Sequence, residues 1–217
     1  MNGEREPVDA LDVERLAARR GLMTLFAGVT FSFAAGEAMI ITGRNGSGKT
    51  TLLRIIAGLT APFEGEVRWQ RKVVRSFDAR LRRAVTFGGH TPALKDELTT
   101  EENLAAAMAL DGDAATAAEL DEALCAVALD RHRALPVRVL SQGQKRRIAL
   151  ARLYLSRRLL WILDEPLTAL DTDGIAVLGT LLERHLDRGG LCIAASHQPL
   201  PVAAPRTRAL ALDTVIA

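Results

Sequence analysis

Apolar and polar positions divide the chain into three kinds of segment. Residues 8–14 alternate with a period of two, and Leu25-Phe26-Ala27-Gly28-Val29-Thr30-Phe31-Ser32-Phe33 does so more clearly, as strands with one buried face do. Three runs are apolar almost throughout: Ala38-Met39-Ile40-Ile41-Thr42, Leu159-Leu160-Trp161-Ile162-Leu163 and Leu191-Cys192-Ile193-Ala194-Ala195-Ser196. Such runs fit strands covered on both faces, the condition of a parallel sheet. Between them the spacing turns helical over residues 51–59, 101–129 with a break at Asp111-Gly112-Asp113, 144–157 and 172–187. Glu64-Gly65-Glu66-Val67-Arg68-Trp69 and Ala84-Val85-Thr86-Phe87 read as further short strands. The pattern predicts an α/β fold: antiparallel strands leading in, a mostly parallel core sheet, and a helical insertion between two of its strands. Residues 71–83 hold Arg71, Lys72, Arg75, Arg80, Arg82 and Arg83 and read as a solvated basic loop. Contact with a partner or with anionic headgroups is the sharper reading of that stretch.

The junction between the first apolar run and the first helix carries the chemistry. Gly43-Arg44-Asn45-Gly46-Ser47-Gly48-Lys49-Thr50 satisfies G-x-x-x-x-G-K-[ST] at every fixed position, between a strand and a helix. Its glycines let successive backbone N–H groups curl around phosphate oxygens, and the helix adds its positive N-terminal end. Lys49 would then reach the β- and γ-phosphates, and the Thr50 hydroxyl would ligate Mg²⁺. A glycine-rich turn with a chance lysine is the plain alternative, and the flanking elements weigh against it.

Composition narrows the partners rather than the chemistry. A chain of 217 residues suits one domain with an inserted subdomain, and 48% hydrophobic with 4% aromatic residues indicates a core of Leu, Ala, Val and Ile. A net charge of +2 is too small to argue for nucleic acid. No apolar stretch approaches the roughly 18 residues of a membrane span. The start, Met1-Asn2-Gly3-Glu4-Arg5-Glu6, is not that of a secretory signal. Cys125 and Cys192 lack C-x-x-C spacing and read as two small buried residues in a reducing cytosol. A soluble intracellular protein is expected.

Two further constellations follow. Asp164-Glu165 ends the second apolar run. Beside a P-loop, Asp164 can hold Mg²⁺ through the metal's water shell, and Glu165 can polarise an attacking water. A carboxylate pair capping the segment that Pro166 begins is the structural alternative. Leu140-Ser141-Gln142-Gly143-Gln144 opens a helix. Ser141 and Gln144 stand at capping-box spacing, and serine, glycine amide and helix N-terminus together could also cradle a second anion.

The P-loop, Leu140 to Gln144, Asp164-Glu165-Pro166, Leu170-Asp171 and His197 fall in the order and spacing of ATP-binding cassette (ABC) ATPases, and the chain resembles that family over nearly its whole length. The resemblance implies a P-loop NTPase of the ABC type, a single domain over residues 1–217 with a helical subdomain at about 90–157. It implies ATP and Mg²⁺ as ligands and a head-to-tail homodimer of cassettes in the ATP-bound state. Each ATP would lie between the segment from Gly43 to Thr51 of one copy and Ser141, Gln142, Gly143 and Gln144 of the other. It further implies that His197 contacts the γ-phosphate and supports Glu165, and that Asp171 lies in a loop crossing the interface. Taken alone, His197 would read as a satisfied loop histidine.

Three positions depart from the common cassette pattern. His90 stands where a glutamine usually touches Mg²⁺ and senses the membrane subunits, and its charge changes near neutral pH. Arg20 aligns with the aromatic that stacks on adenine, a contact a guanidinium plane can also make. Gln142 replaces a glycine. Gly89-His90, residues 94–99, Gln144-Lys145-Arg146-Arg147, residues 160–166 and His197-Gln198 together resemble the ATP-binding subunits of the haem-export system of cytochrome c maturation. That likeness implies a peripheral protein on the cytoplasmic face of the bacterial inner membrane, partnered by integral-membrane permeases. Its ATP hydrolysis would be tied to haem delivery to a periplasmic chaperone, or to release of the loaded chaperone. By the same likeness His90 and His197 serve the nucleotide rather than haem. The ATPase of another small-solute transporter is the nearer alternative. A soluble cassette protein acting on nucleic acid or ribosomes is further off, since the chain has one cassette, no coiled-coil arms and a near-neutral charge.

Overall fold

The computed structural model describes residues 11–214. The start of the alternating segment at 8–14 and the polar stretch Met1 to Glu6 lie outside the described residues. In chain order the elements are β1 (Leu11–Arg20), β2 (Met23–Phe33), β3 (Ala38–Thr42), α1 (Lys49–Ile56), β4 (Glu64–Trp69), β5 (Lys72–Val74), α2 (Ala79–Ala84) and β6 (Val85–Gly88). Then come α3 (Thr100–Leu110), α4 (Ala117–Ala126), α5 (Gln142–Leu155), β7 (Leu160–Asp164), α6 (Thr172–Asp187), β8 (Leu191–Ala195) and β9 (Thr207–Ala211).

Two sheets result. One is antiparallel with the order β2-β1-β4-β5; the other is parallel with the order β6-β7-β8-β3-β9. The apolar runs explain the second. Along β7, Leu160 and Ile162 face a core shared with α1 and the antiparallel sheet, while Trp161 and Leu163 face a core shared with α3 to α6. In β8, Leu191, Ile193 and Ala195 alternate with Cys192 and Ala194, and in β3 Met39 and Ile41 alternate with Ala38 and Ile40. Each strand is apolar at every position because each face closes a different core. Deleting the fully buried Leu53 side chain to alanine would cost about 2–5 kcal/mol.

Helix ends follow local rules. α1 stops at Gly58, whose φ is +70°, with Gly58 N–H donating to Ile55 O and Leu59 N–H to Arg54 O. This paired-bond turn needs a left-handed residue, which glycine supplies without Cβ strain. Thr99 with Glu102 and Thr116 with Glu119 form capping boxes that start α3 and α4.

The structure corrects two expectations and adds one strand. The basic stretch 71–83 is not a plain loop: β5 pairs with β4, and α2 is capped by the Asp78 carboxylate and anchored by the fully buried Leu81. Asp78 is held down to about 2, first by the Arg80 side-chain bond and then by its amide. Cys125 is exposed, whereas Cys192 is buried and its thiol pushed up to about 12 by desolvation. Strand β9, which extends the parallel sheet beside β3, has only two partly buried side chains, and its short apolar run Ala209-Leu210-Ala211-Leu212 was not assigned from the sequence.

The parallel register sets the site. Asp164 and Ile41 both pair with Ala195, so β3, β7 and β8 end side by side. The loops beginning at Gly43, Glu165 and Ser196 therefore leave the sheet together, at the carboxyl edge where such folds hold ligands.

Candidate nucleotide site

Gly48 is the N-cap of α1 with φ +97°, and a Cβ there would stand 3.0 Å from the Phe26 ring and 3.1 Å from Leu25 Cβ. Conformation and space both demand glycine at that position. A Cβ on Gly43 would stand 2.8 Å from Ser47 Oγ, so the loop also closes tightly on itself. Ser47 Oγ is buried and bonded to nothing among the described residues. An orphaned hydroxyl inside a glycine cradle at a helix N-terminus suits a phosphate oxygen, and the loop fits the nucleotide the motif implies.

Lys49 is 8% exposed and turns back over the loop, donating to Gly43 O at 2.6 Å and Arg44 O at 3.2 Å. Its ammonium lies 3.4 Å from His197 Nε2. The same imidazole nitrogen stands 3.2 Å from Asn45 Oδ1 and 3.6 Å from Glu165 Oε1. Behind them the Thr50 hydroxyl donates to Asp164 Oδ2 at 2.8 Å. A hydroxyl and a carboxylate are hard oxygen ligands of the kind Mg²⁺ takes, with phosphates and water completing its shell. Among the described residues no three His, Cys, Asp or Glu side chains gather at one point, so the metal would need the nucleotide's own oxygens.

Neighbouring carboxylates are aimed apart by the backbone. Asp164 ends β7 in extended conformation, and Glu165 takes φ +51°, the left-handed region that a long side chain rarely adopts. Its amide donates to Ala195 O at 2.9 Å, and Arg146 holds the turn from behind. The Arg146 guanidinium donates to Glu165 O at 2.9 Å, Thr168 O at 3.1 Å and Gly89 O at 3.4 Å. Burial pulls the Arg146 guanidinium below its usual value, opposed by nearby Asp164 and Glu165. Sequence reasoning gave Arg146 no role of its own. The available signal was an arginine in line with Leu150 and Leu153, on the buried stripe of α5. Asp213 was also missed: its carboxylate accepts the Arg44 amide at 2.9 Å and tethers the P-loop to the turn after β9. No motif marks it.

The remaining candidates lie apart from this cluster. Ser141 and Gln144 close a reciprocal capping box at 3.2 and 2.8 Å, with Gln144 Nε2 2.8 Å from His132 Nε2. Gln142 is exposed, and Gly143 has room for a Cβ. Asp171 caps α6 through the Gly174 amide at 2.9 Å and takes two bonds from Arg147. These hold its carboxyl below the usual range, the amide first. His90 is exposed after β6 and makes no bond to Thr50 or Asp164. Arg20, also exposed, ends β1 opposite Met23, while its neighbour Arg19 lies 3.9 Å over the Phe63 ring.

Comparison with known proteins agrees with this geometry. The ABC transporter family model matches residues 26–168. The chain is 47% identical over 203 residues to the cytochrome c biogenesis ATP-binding export protein CcmA 1 of Cupriavidus metallidurans, covering 94% of this chain and 97% of that one. It is 47% identical over 200 residues to CcmA of Pseudomonas aeruginosa, covering 92% and 97%. Among solved structures, a dimeric ATP-binding cassette in a post-hydrolysis state with ADP and Pi superposes with a TM-score of 0.75 at 25% identity, covering 87% of this chain and 88% of that one. By sequence, fold and the arrangement of its phosphate loop, the chain belongs to the ABC transporter family of ATP-binding cassettes, in the branch of the cytochrome c biogenesis ATP-binding export proteins.

Proposed function

We infer that this chain is the ATP-hydrolysing subunit of a membrane ABC complex serving haem export or delivery in cytochrome c biogenesis. The observation that carries the ATPase part is the meeting of Lys49, Asn45, Glu165 and His197 at one point, beside the Thr50–Asp164 pair. The haem part rests on the names of the relatives matched over most of both chains.

In this reading the P-loop amides and Lys49 bind the triphosphate and offset its charge. Bound Mg²⁺ supplies further charge neutralisation at the β- and γ-oxygens; Thr50 would hold it directly and Asp164 through water. Glu165 orients the attacking water and accepts its proton, a role worth about 10²–10⁴-fold. His197 sits between Glu165 and Lys49, placed to hold the carboxylate and meet the γ-phosphate. A second copy, packed head to tail, would bring Ser141, Gln142, Gly143 and Gln144 against the exposed side of the triphosphate. Asp171 would then lie along the same interface. The helices between β6 and β7 form the inserted subdomain at about 90–157 that carries this second surface.

Among the described residues no helix is long and apolar enough to cross a membrane, so attachment to the inner membrane would come through integral permease subunits. Indirect coupling to a periplasmic haem chaperone completes the proposed pathway. Pull-down of the chain from solubilised membranes, with c-type cytochrome levels measured after deletion, tests it. Polytopic permeases in the pull-down and loss of c-type cytochromes are expected; ribosomes as the captured partner, or unchanged cytochromes, would overturn the haem assignment.

A further inference from the structure

At the amino-terminal edge of the parallel sheet, opposite the P-loop, the carboxyl ends of α5 and α6 and the start of β7 enclose a cavity of about 220 Å³. Its floor is Trp161, 3% exposed and stacked on His185 with ring centroids 3.9 Å apart at 7°. His185 Nε2 lies 3.1 Å from Leu191 O, and burial holds the imidazole below its usual value. The indole Nε1 of Trp161 is buried and has no hydrogen-bond partner among the described residues. A buried donor left in this way is costly and calls for an acceptor.

The charge around the opening has one sign. Arg157, Arg158, Arg184 and Arg188 line the cavity, and no carboxylate does. Arg157 and Arg158 are paired, to Glu119 and Asp113. Arg184 and Arg188, one turn apart on α6 and its end, form no ion pair among the described residues; Arg184 only overlies the Tyr154 ring at 5.3 Å. The acids nearest them in sequence, Glu183 and Asp187, are both taken by Arg206. Like charges four residues apart on a helix repel. The dipole at the end of α6 favours a cation there but leaves the indole donor unexplained.

We propose that this cavity is an anion site, taking a phosphate-type oxyanion whose oxygens accept from Trp161 Nε1 and from the guanidinium groups of Arg184 and Arg188. Its volume is several times the roughly 30 Å³ share of one liquid water, room for a phosphate group and part of what bears it. Phosphate of this chemistry occurs free in solution and on anionic lipid headgroups. The site stands on its own, independent of the reading of the nucleotide centre.

The test uses the full chain saturated with Mg²⁺ and a non-hydrolysable ATP analogue, so that the P-loop and the γ-phosphate position are both filled. Inorganic phosphate is titrated in by calorimetry, and vesicles of phosphatidylglycerol or phosphatidylcholine are co-sedimented in parallel. Saturable binding of phosphate, of phosphatidylglycerol vesicles alone, or of both supports the site and identifies its source. Arg184→Ala with Arg188→Ala should weaken it at least tenfold, and Trp161→Phe, which keeps the ring and removes the donor, about tenfold. Unchanged affinity for the analogue in each variant reports that the fold is intact. Binding of neither probe overturns the proposal, as does binding that survives the double arginine replacement.

Discussion

The P-loop and the start of α5 are both glycine-bearing helix N-termini, yet the fold treats them differently. Around the P-loop, groups from three strand ends converge: Lys49 and Thr50 from α1 after β3, Asp164 at the end of β7 with Glu165 following it, and His197 after β8. At α5 the amides are met locally. Ser141 and Gln144 cap each other, and the nearest outside partner is His132, twelve residues earlier. One end is therefore set by long-range register and the other by four consecutive residues. A chain built this way carries one assembled half of a phosphate site and one half that is a well-formed cap. A head-to-tail dimer is the arrangement that would let each half complete the other.

The sharpest way to break the comparison is at the assembled half. Glu165→Gln keeps the shape of the turn and removes the proton acceptor, so steady-state turnover should fall by about 10²–10⁴-fold while ATP still binds. Size-exclusion chromatography with Mg·ATP should then show accumulated dimer. Normal turnover would mean another group handles the water. Lys49→Ala removes the ammonium proposed to bind the triphosphate, now bonded to the Gly43 and Arg44 carbonyls. Loss of two charge-assisted bonds predicts at least about a hundredfold weaker ATP binding by equilibrium fluorescence titration. Unaltered affinity would detach the loop from the nucleotide.

The other half is tested by Ser141→Ala. As a cap alone, the serine contributes about 1 kcal/mol, read as a small shift in a urea melt. If it also serves the neighbour, mixed dimers carrying one altered copy should lose hydrolysis, about tenfold, at the site whose P-loop belongs to the unaltered copy. Failure at the altered copy's own P-loop would reverse the head-to-tail reading. The smallest effect concerns Asp171, whose carboxyl is depressed by the Gly174 amide and Arg147. A depressed acid stabilises the fold above its unfolded pKa of about 4 and loses that contribution as pH falls through the lower folded value. Urea melts of Asp171→Asn should therefore fall below the unaltered chain at pH 7 and converge with it in acid, once the folded carboxyl is protonated. A gap that persists in acid would assign the loss to geometry rather than charge.

Much of the assembled half was legible in the sequence because its parts carry rigid local signatures. The glycines at 43, 46 and 48 stand at positive φ in a loop that leaves a strand with four consecutive apolar residues, and Asp164-Glu165 closes another such run. The alternating and the all-apolar runs separated the antiparallel sheet from the parallel one for the same reason: period two records how many faces are covered. Tertiary contacts without sequence periodicity were not legible. Strand β9 lies at a sheet edge with mostly exposed side chains, α2 hides one leucine among arginines, and Asp213 reaches the Arg44 amide across 169 positions. The Arg146 contacts with Gly89, Glu165 and Thr168 are of the same sort. His90 and Arg20 make no contact with the cluster around Lys49 among the described residues.

The left-handed turn at Glu165 bears on how this ATPase can change over time. Only glycine, asparagine or aspartate rests comfortably at such a φ, so nearly every replacement that eases the backbone also shortens or removes the carboxylate. Selection for a sturdier protein and selection for a working one pull this position in opposite directions. Variants recovered purely for heat resistance should be searched there first for silent loss of turnover.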